Sequence, residues 1–339
     1  MLRNKPLQAV LALALMFSLF LTACGGTNSS TSNTAQSTTQ AKGSTAEPAE
    51  KATEAPAEKK MRSFETKKGT VQIPDKPQRI VTDYYAGELV AVGGNVIGAE
   101  TMAFQNPFIT EQLKSAQDVG TRVNLEKALE LAPDLIVVMY EDNYEALSKI
   151  APTIFIPYGT TTNIYDTVKL FGDIVGDKAK ADEFIADFDK KAAEGREKLK
   201  GIADENTTVG LYELTNKGDL WIFGDNAGRG GQTVYNALKL KMPHKDLPEQ
   251  TVQLSMETLP EYDADYMFLT FYNPENNSDA LKNLKESAVW KGLPAFKNNQ
   301  IFFNDFDTFY RYDPIAVKAQ IDMFVDMIIK RHEENKAKK

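Results

Sequence analysis

The chain has 339 residues, of which 25% are charged and 42% hydrophobic, ordinary proportions for a globular protein of about two domains. Its 39 basic and 47 acidic residues leave a net charge of −8, which disfavours wholesale binding to nucleic acid or anionic lipid. Two histidines, His244 and His332, and one cysteine, Cys24, are too few for most zinc sites, iron–sulfur clusters or disulfide frameworks.

Residues 1–23 read as a signal peptide. Arg3 and Lys5 precede an apolar run from Leu7 to Leu21, about 15 residues long and short of the roughly 20 that span a bilayer. The run ends in Leu21-Thr22-Ala23-Cys24-Gly25-Gly26, which resembles a bacterial lipobox and implies cleavage before Cys24 and lipidation of its thiol. An ordinary secretory signal is the alternative, but the sole cysteine falls at the lipobox position. Residues 24–60 are rich in Ser, Thr, Ala, Gln, Glu and Lys, with no aromatic residue, and cannot bury enough apolar surface to offset their ordering entropy. They are expected to form a flexible tether holding the protein to the outer face of the cell membrane.

Folded composition begins at Met61. Residues 79–82 form a β-branched run after Pro74 and Pro77, a strand start; 88–92 read as helix, 96–98 as strand, 125–131 as helix, and 134–139 and 153–156 as buried strands. Residues 178–202 lack proline and place Ala181, Phe184, Ile185, Phe188 and Ala192 on one stripe of a helix about 25 residues and roughly 37 Å long. Such a helix is either a spine between two lobes or a surface helix of one. Further strands fall at 209–212 and 266–268, a helix at 233–240, and a last helix at 313–331 with Pro314 in its first turn.

A repeat organises these elements. Asn124-Leu125-Glu126, followed by Ala132-Pro133-Asp134-Leu135-Ile136-Val137, recurs as Ser255-Met256-Glu257, followed by Asp263-Ala264-Asp265-Tyr266-Met267-Phe268. In both copies a glutamate is expected to open a helix, and an aspartate precedes a strand. The reading is α/β: two Rossmann-like lobes with mostly parallel central sheets, joined by one long rigid helix. The domains are then 1–23 and 24–60 as above, an N-terminal lobe at 61–163, a helical region with the spine at 164–204, and a C-terminal lobe with the terminal helix at 205–339.

Chemistry is sparse. The glycine-rich run 224–231 precedes a helix, but no Gly-Lys-Ser/Thr follows and the dinucleotide spacing is wrong, so nucleotide binding is disfavoured. The run is either a cleft-facing loop led by Arg229 or a structural tight turn. No Gly-x-Ser-x-Gly elbow exists, and both histidines read as solvated. In open α/β sheets ligands bind at the carboxyl ends of strands. Those positions carry Tyr84, Tyr85, Tyr140, Tyr158, Tyr212, Tyr272 and the run 306–312, which includes Tyr310 and Arg311; Trp221 is a further wall candidate. Each single aromatic is as readily a core residue, but together they indicate a stacking cleft. Arg122, Arg229 and Arg311 would supply bidentate contacts to anionic oxygens.

The lipobox, the tether, Pro77-Gln78-Arg79-Ile80-Val81, Gly120-x-x-x-Asn124-Leu125-Glu126, Ala132-Pro133-Asp134-Leu135-Ile136 and the central helix together resemble bacterial ABC-transporter substrate-binding lipoproteins of the ferric-siderophore and cobalamin group. Gly228-Arg229-Gly230-Gly231 and Asn304-Asp305-Phe306-Asp307 resemble its iron-siderophore branch. The resemblance implies one docking glutamate per lobe for the permease, here Glu126 and Glu257, whose other role would be helix N-terminal charge. It implies a cargo of iron(III) already enclosed by its siderophore, so no resident cofactor and no metal ligands are expected. The expected function is capture of a ferric siderophore, hydroxamate or citrate type, by a monomer that passes it to an ABC permease without catalysis. Cobalamin or haem is the alternative cargo. A lipid-anchored hydrolase is the alternative class, favoured by a carboxylate pair in the cleft.

Overall fold

The computed structural model describes residues 60–243 and 245–338. The signal peptide, Cys24, residues 25–59 of the tether and His244 lie outside the described residues. A hairpin, β1 (Met61–Thr66) and β2 (Gly69–Pro74), leads into the first lobe. Its sheet is built from β3 (Ile80–Thr82), β4 (Val96–Ala99), β5 (Gln117–Asp118), β6 (Leu135–Val138) and β7 (Thr153–Phe155), in the order β5-β4-β3-β6-β7 and parallel throughout. Every residue of β3 and β6 is buried, as their unbroken apolar runs require of strands covered on both faces. The intervening helices are α1 (Ala86–Ala91), α2 (Leu125–Leu131) and α3 (Tyr144–Leu147).

Two helices follow, α4 (Ile164–Val175) and α5 (Lys178–Leu199). The second lobe carries β8 (Val209–Thr215), β9 (Leu220–Phe223), β10 (Thr251–Leu254), β11 (Tyr266–Tyr272) and β12 (Ile301–Asn304), in the order β10-β9-β8-β11-β12. Here β8, β11 and β12 are parallel, while β9 runs against both β8 and β10. The short β8–β9 connection forces that reversal, because parallel neighbours need a long crossover. Three short helices, α6 (Asp279–Glu286), α7 (Ala288–Gly292) and α8 (Pro294–Lys297), precede β12; α9 (Phe306–Phe309) and the long α10 (Pro314–Ala337) follow it.

The repeat is structural. Asp134 accepts from the N–H groups of Gln78 and Arg79 at the entry to β3, and Asp265 accepts from the N–H and hydroxyl of Thr208 at the entry to β8. Asn124 caps α2 by accepting from Glu126 N and Lys127 N, and Ser255 Oγ accepts from Thr258 N. The second copy departs in one respect: Glu257 lies in a turn before a short 3-10 segment, Leu259–Tyr262, and opens no α-helix. A helix begun at Met256 would carry Pro260 in its interior, where the ring clashes with the carbonyl four residues back.

The spine is doubled. The apolar stripe of α5 packs on α4 near its start, and α10 lies alongside α5 in the same direction, tied by Lys318–Asp187 and Lys191–Asp322. Gly195 makes this contact possible, since a Cβ there would lie 2.9 Å from Leu238 and 3.0 Å from Ile321. One apolar core runs from Leu89 and Phe171 through Phe188 to Phe268 and Phe324, so the lobes share packed side chains.

Candidate functional site

The chain segments leaving β3, β4 and β6 in the first lobe meet those leaving β12 and α9 in the second. Tyr84 and Tyr312 hydrogen-bond through their hydroxyls across the lobes, and Asn106 Nδ2 donates to Asp313 Oδ2 at 2.9 Å. Gly87 lets α1 approach the start of α10: a Cβ there would lie 2.5 Å from that of Asp313. On one side of the tyrosine contact lies a cavity of about 700 Å³, open mouth included, lined by Tyr84, Tyr140, Tyr310, Arg311 and Tyr312 together with apolar Ala86, Met102, Ala103 and Ile109. A smaller one on the other side, about 500 Å³, is lined by Tyr84, Tyr85, Tyr158 and Gln232.

The three arginines do not converge on this space. Arg122 lies over the ring of Tyr140, 3.1 Å from its centroid, and its Nε donates to the exposed Asp142 at 2.9 Å. Arg229 is turned inward: its Nε donates to Glu213 Oε2 at 2.8 Å, and its guanidinium stacks on Phe223 and Tyr310. Both members of this pair are about nine-tenths buried. The glycine-rich run is therefore a tight turn, with Arg229 itself at φ +57°. Only Arg311 lines the larger cavity. Its Nε donates to Asp307 O at 3.1 Å, while its buried Nη2 makes no hydrogen bond and lies 3.9 Å from Asp307 Oδ1.

Carboxylates, unforeseen here, dominate the larger cavity: Asp83, Glu88, Glu100 and Asp313. Burial pushes Asp83 up to about 6, although it accepts from Met139 N at 2.7 Å and so ties β3 to β6. Burial, reinforced by Asp313 and Glu100, pushes Glu88 up to about 8. Burial also raises Glu100 and Asp313, while Arg311 pulls both back. Asp313 caps α10 by accepting from Ile315 N and Ala316 N, and Glu100 accepts from Met102 N. Three of the four thus spend their oxygens holding backbone, an arrangement unlike a free acid–nucleophile pair. Among the described residues, no group of three or more His, Cys, Asp or Glu is placed to hold a metal ion.

The remaining candidates divide by sheet face. Tyr212 is not a cleft residue: it is fully buried on the far face of β8, among Leu214 and Met267, and its hydroxyl donates to Tyr262 O. Its strand neighbours decide this, because side chains alternate across the sheet. Tyr85 is buried with its hydroxyl donating to Ile156 O at 2.6 Å, and it borders only the smaller cavity. Trp221 pairs across strands with Glu213 and lines neither cavity. Tyr272 is partly exposed and packs on Phe306, 4.6 Å between centroids. Glu126 and Glu257 are both exposed, and each follows the carboxyl end of an edge strand, β5 or β10. The missed Glu88 has a sequence signal, a lone acid within the apolar Ala-Gly-Glu-Leu-Val-Ala run of α1.

Two α/β lobes on a helical frame, with a cleft between the strand ends, define a solute-binding protein. Residues 94–308 match the family model described as periplasmic binding protein. The chain is 50% identical to the iron(3+)-hydroxamate-binding protein YxeB of Bacillus subtilis, across 99% of this chain and 100% of that one. A periplasmic binding protein component of a ferrichrome ABC transporter from Bacillus subtilis superposes with a TM-score of 0.71 at 30% identity, covering 79% of this chain and all of the other. FhuD2 from Staphylococcus aureus with bound ferrioxamine B superposes at 0.67 with 25% identity, covering 76% and 100%. This chain belongs to the periplasmic binding protein family.

Proposed function

We propose that the protein captures a ferric hydroxamate outside the cytoplasmic membrane and delivers it to an ABC permease. The observation that carries this reading is the cleft itself: aromatic walls, one buried guanidinium with an unused N–H and, among the described residues, no cluster of metal ligands. Such a site suits a metal already enclosed in organic oxygen donors, whose apolar rim stacks on tyrosines while Arg311 reaches a hydroxamate oxygen. A citrate-type shell, strongly anionic, fits worse, because Arg122 and Arg229 are neutralised by Asp142 and Glu213 and the cavity carries an excess of carboxylates. The relatives that bind hydroxamates support the same choice.

In this reading the protein is a monomer without catalysis or resident cofactor, anchored through lipidated Cys24, and Glu126 and Glu257 dock on the permease. Their position beyond edge strands of the two lobes gives matched negative points that set orientation more than affinity. The test is quenching of intrinsic fluorescence by a panel of ferric hydroxamates, ferric citrate, a ferric catecholate, cobalamin and haem. Saturable quenching by hydroxamates with iron, much weaker without it, is expected. Preference for any other member would overturn the reading.

A further inference from the structure

Within the larger cavity acidic groups outnumber basic ones. Four carboxyl groups, Asp83, Glu88, Glu100 and Asp313, face one cation, Arg311, and the remaining ionisable lining groups are the tyrosines 84, 140, 310 and 312. Asp83, Glu100 and Asp313 are held by backbone N–H groups. Glu88 is not: it is 7% exposed, lines both cavities, and receives a hydrogen bond from no residue but itself. Ala86, Met102, Ala103 and Ile109 give the same cavity apolar walls. A methylene chain tipped by a positive charge matches both features, since its stem replaces water on apolar walls and its head would let Glu88 give up the proton that burial makes it keep, forming an ion pair.

We infer that this cavity is a subsite for an alkylammonium arm, and that Glu88 makes the protein select ferric hydroxamates bearing a protonated primary amine. The inference rests on the hydroxamate reading above and adds which members of that class are preferred. The iron-bearing core would sit at the tyrosine rim near Arg311, with the arm reaching inward to Glu88.

The experiment compares ferrioxamine B, a linear trihydroxamate with a terminal ammonium, with its N-acetylated form, which has the same core and no charge. Titrated against the full protein, ferrioxamine B is expected to bind at least tenfold more tightly. Glu88→Gln should reduce that ratio to threefold or less, whereas Glu141→Gln, which removes an exposed carboxylate that pairs with Lys68 and lines neither cavity, should leave it in place. Equal affinity of the intact protein for both complexes would overturn the ammonium subsite while leaving hydroxamate capture standing. So would a ratio that survives Glu88→Gln or collapses equally with Glu141→Gln. Failure of both complexes to bind would overturn the hydroxamate reading and the subsite together. The ratio in the unmodified protein is itself a test, so the conclusion does not depend on the variant's folding.

Discussion

Replacing Glu213 by Gln would leave the Arg229 guanidinium buried without its counter-charge. In the native fold the two side chains are 11% and 9% exposed and joined by an Nε–Oε2 contact of 2.8 Å. Removing one member of a buried pair costs about 3–5 kcal/mol, chiefly the desolvation of the charge left behind. The faces of Phe223 and Tyr310, 4.3 and 4.8 Å from the guanidinium carbon, still attract the cation, each contributing roughly 0.5–1 kcal/mol. The expected loss is therefore about 3 kcal/mol, a fall in Tm of roughly 5–10 °C for a protein of this size. Guanidinium denaturation and calorimetry would measure it, in low salt and in 0.5 M NaCl, because a buried pair is screened far less than a surface one. The double variant Glu213→Leu, Arg229→Met should unfold within about 1 kcal/mol of the parent, since both charges leave together. A loss below about 1 kcal/mol for Glu213→Gln, or one that disappears in high salt, would refute the assignment of Arg229 to the framework of the second lobe and return it to the ligand.

Two further outcomes follow from the interlobe contacts. Folded Glu88 keeps its proton to about pH 8, whereas its ordinary value is 4.5, so between these the native state binds the additional proton and stability falls as pH rises. Glu88→Gln lacks that slope: its unfolding free energy should match the parent near pH 4.5 and exceed it increasingly toward pH 8, with a ceiling of about 5 kcal/mol; parallel profiles would contradict the buried, unpaired state of Glu88. Gly87→Val would drive a side chain into Asp313 and part α1 from α10, costing about 1–3 kcal/mol in urea unfolding and weakening ligand binding. Unchanged stability and affinity would show that the lobes separate there without penalty.

Much of the architecture is written locally. The continuous apolar runs of β3 and β6 and the Asn124 and Ser255 caps act within one strand–helix unit, so period and spacing identify them, whereas Asp134 and Asp265 are marked by the repeat but bond to distant strands. The stripe of α5 likewise marks a helix with one buried face, though not that α10 would accompany it. What the sequence left open was the pairing of the charges around the site. Arg122, Arg229 and Arg311 look alike in sequence, yet Asp142 and Glu213 neutralise two of them, and those partners lie on other elements. Tyr212 looks like Tyr84, but the alternation of β8 sends it to the opposite face. Burial and pairing depend on which distant segments the fold brings together. The sequence by itself therefore determined the two lobes, a long central helix with one buried face and, through its family resemblance, the class of cargo. The tertiary structure alone decided that the cleft is rich in carboxyl groups, that Arg311 is the one of the three arginines lining the larger cavity, and that Glu88 is buried there.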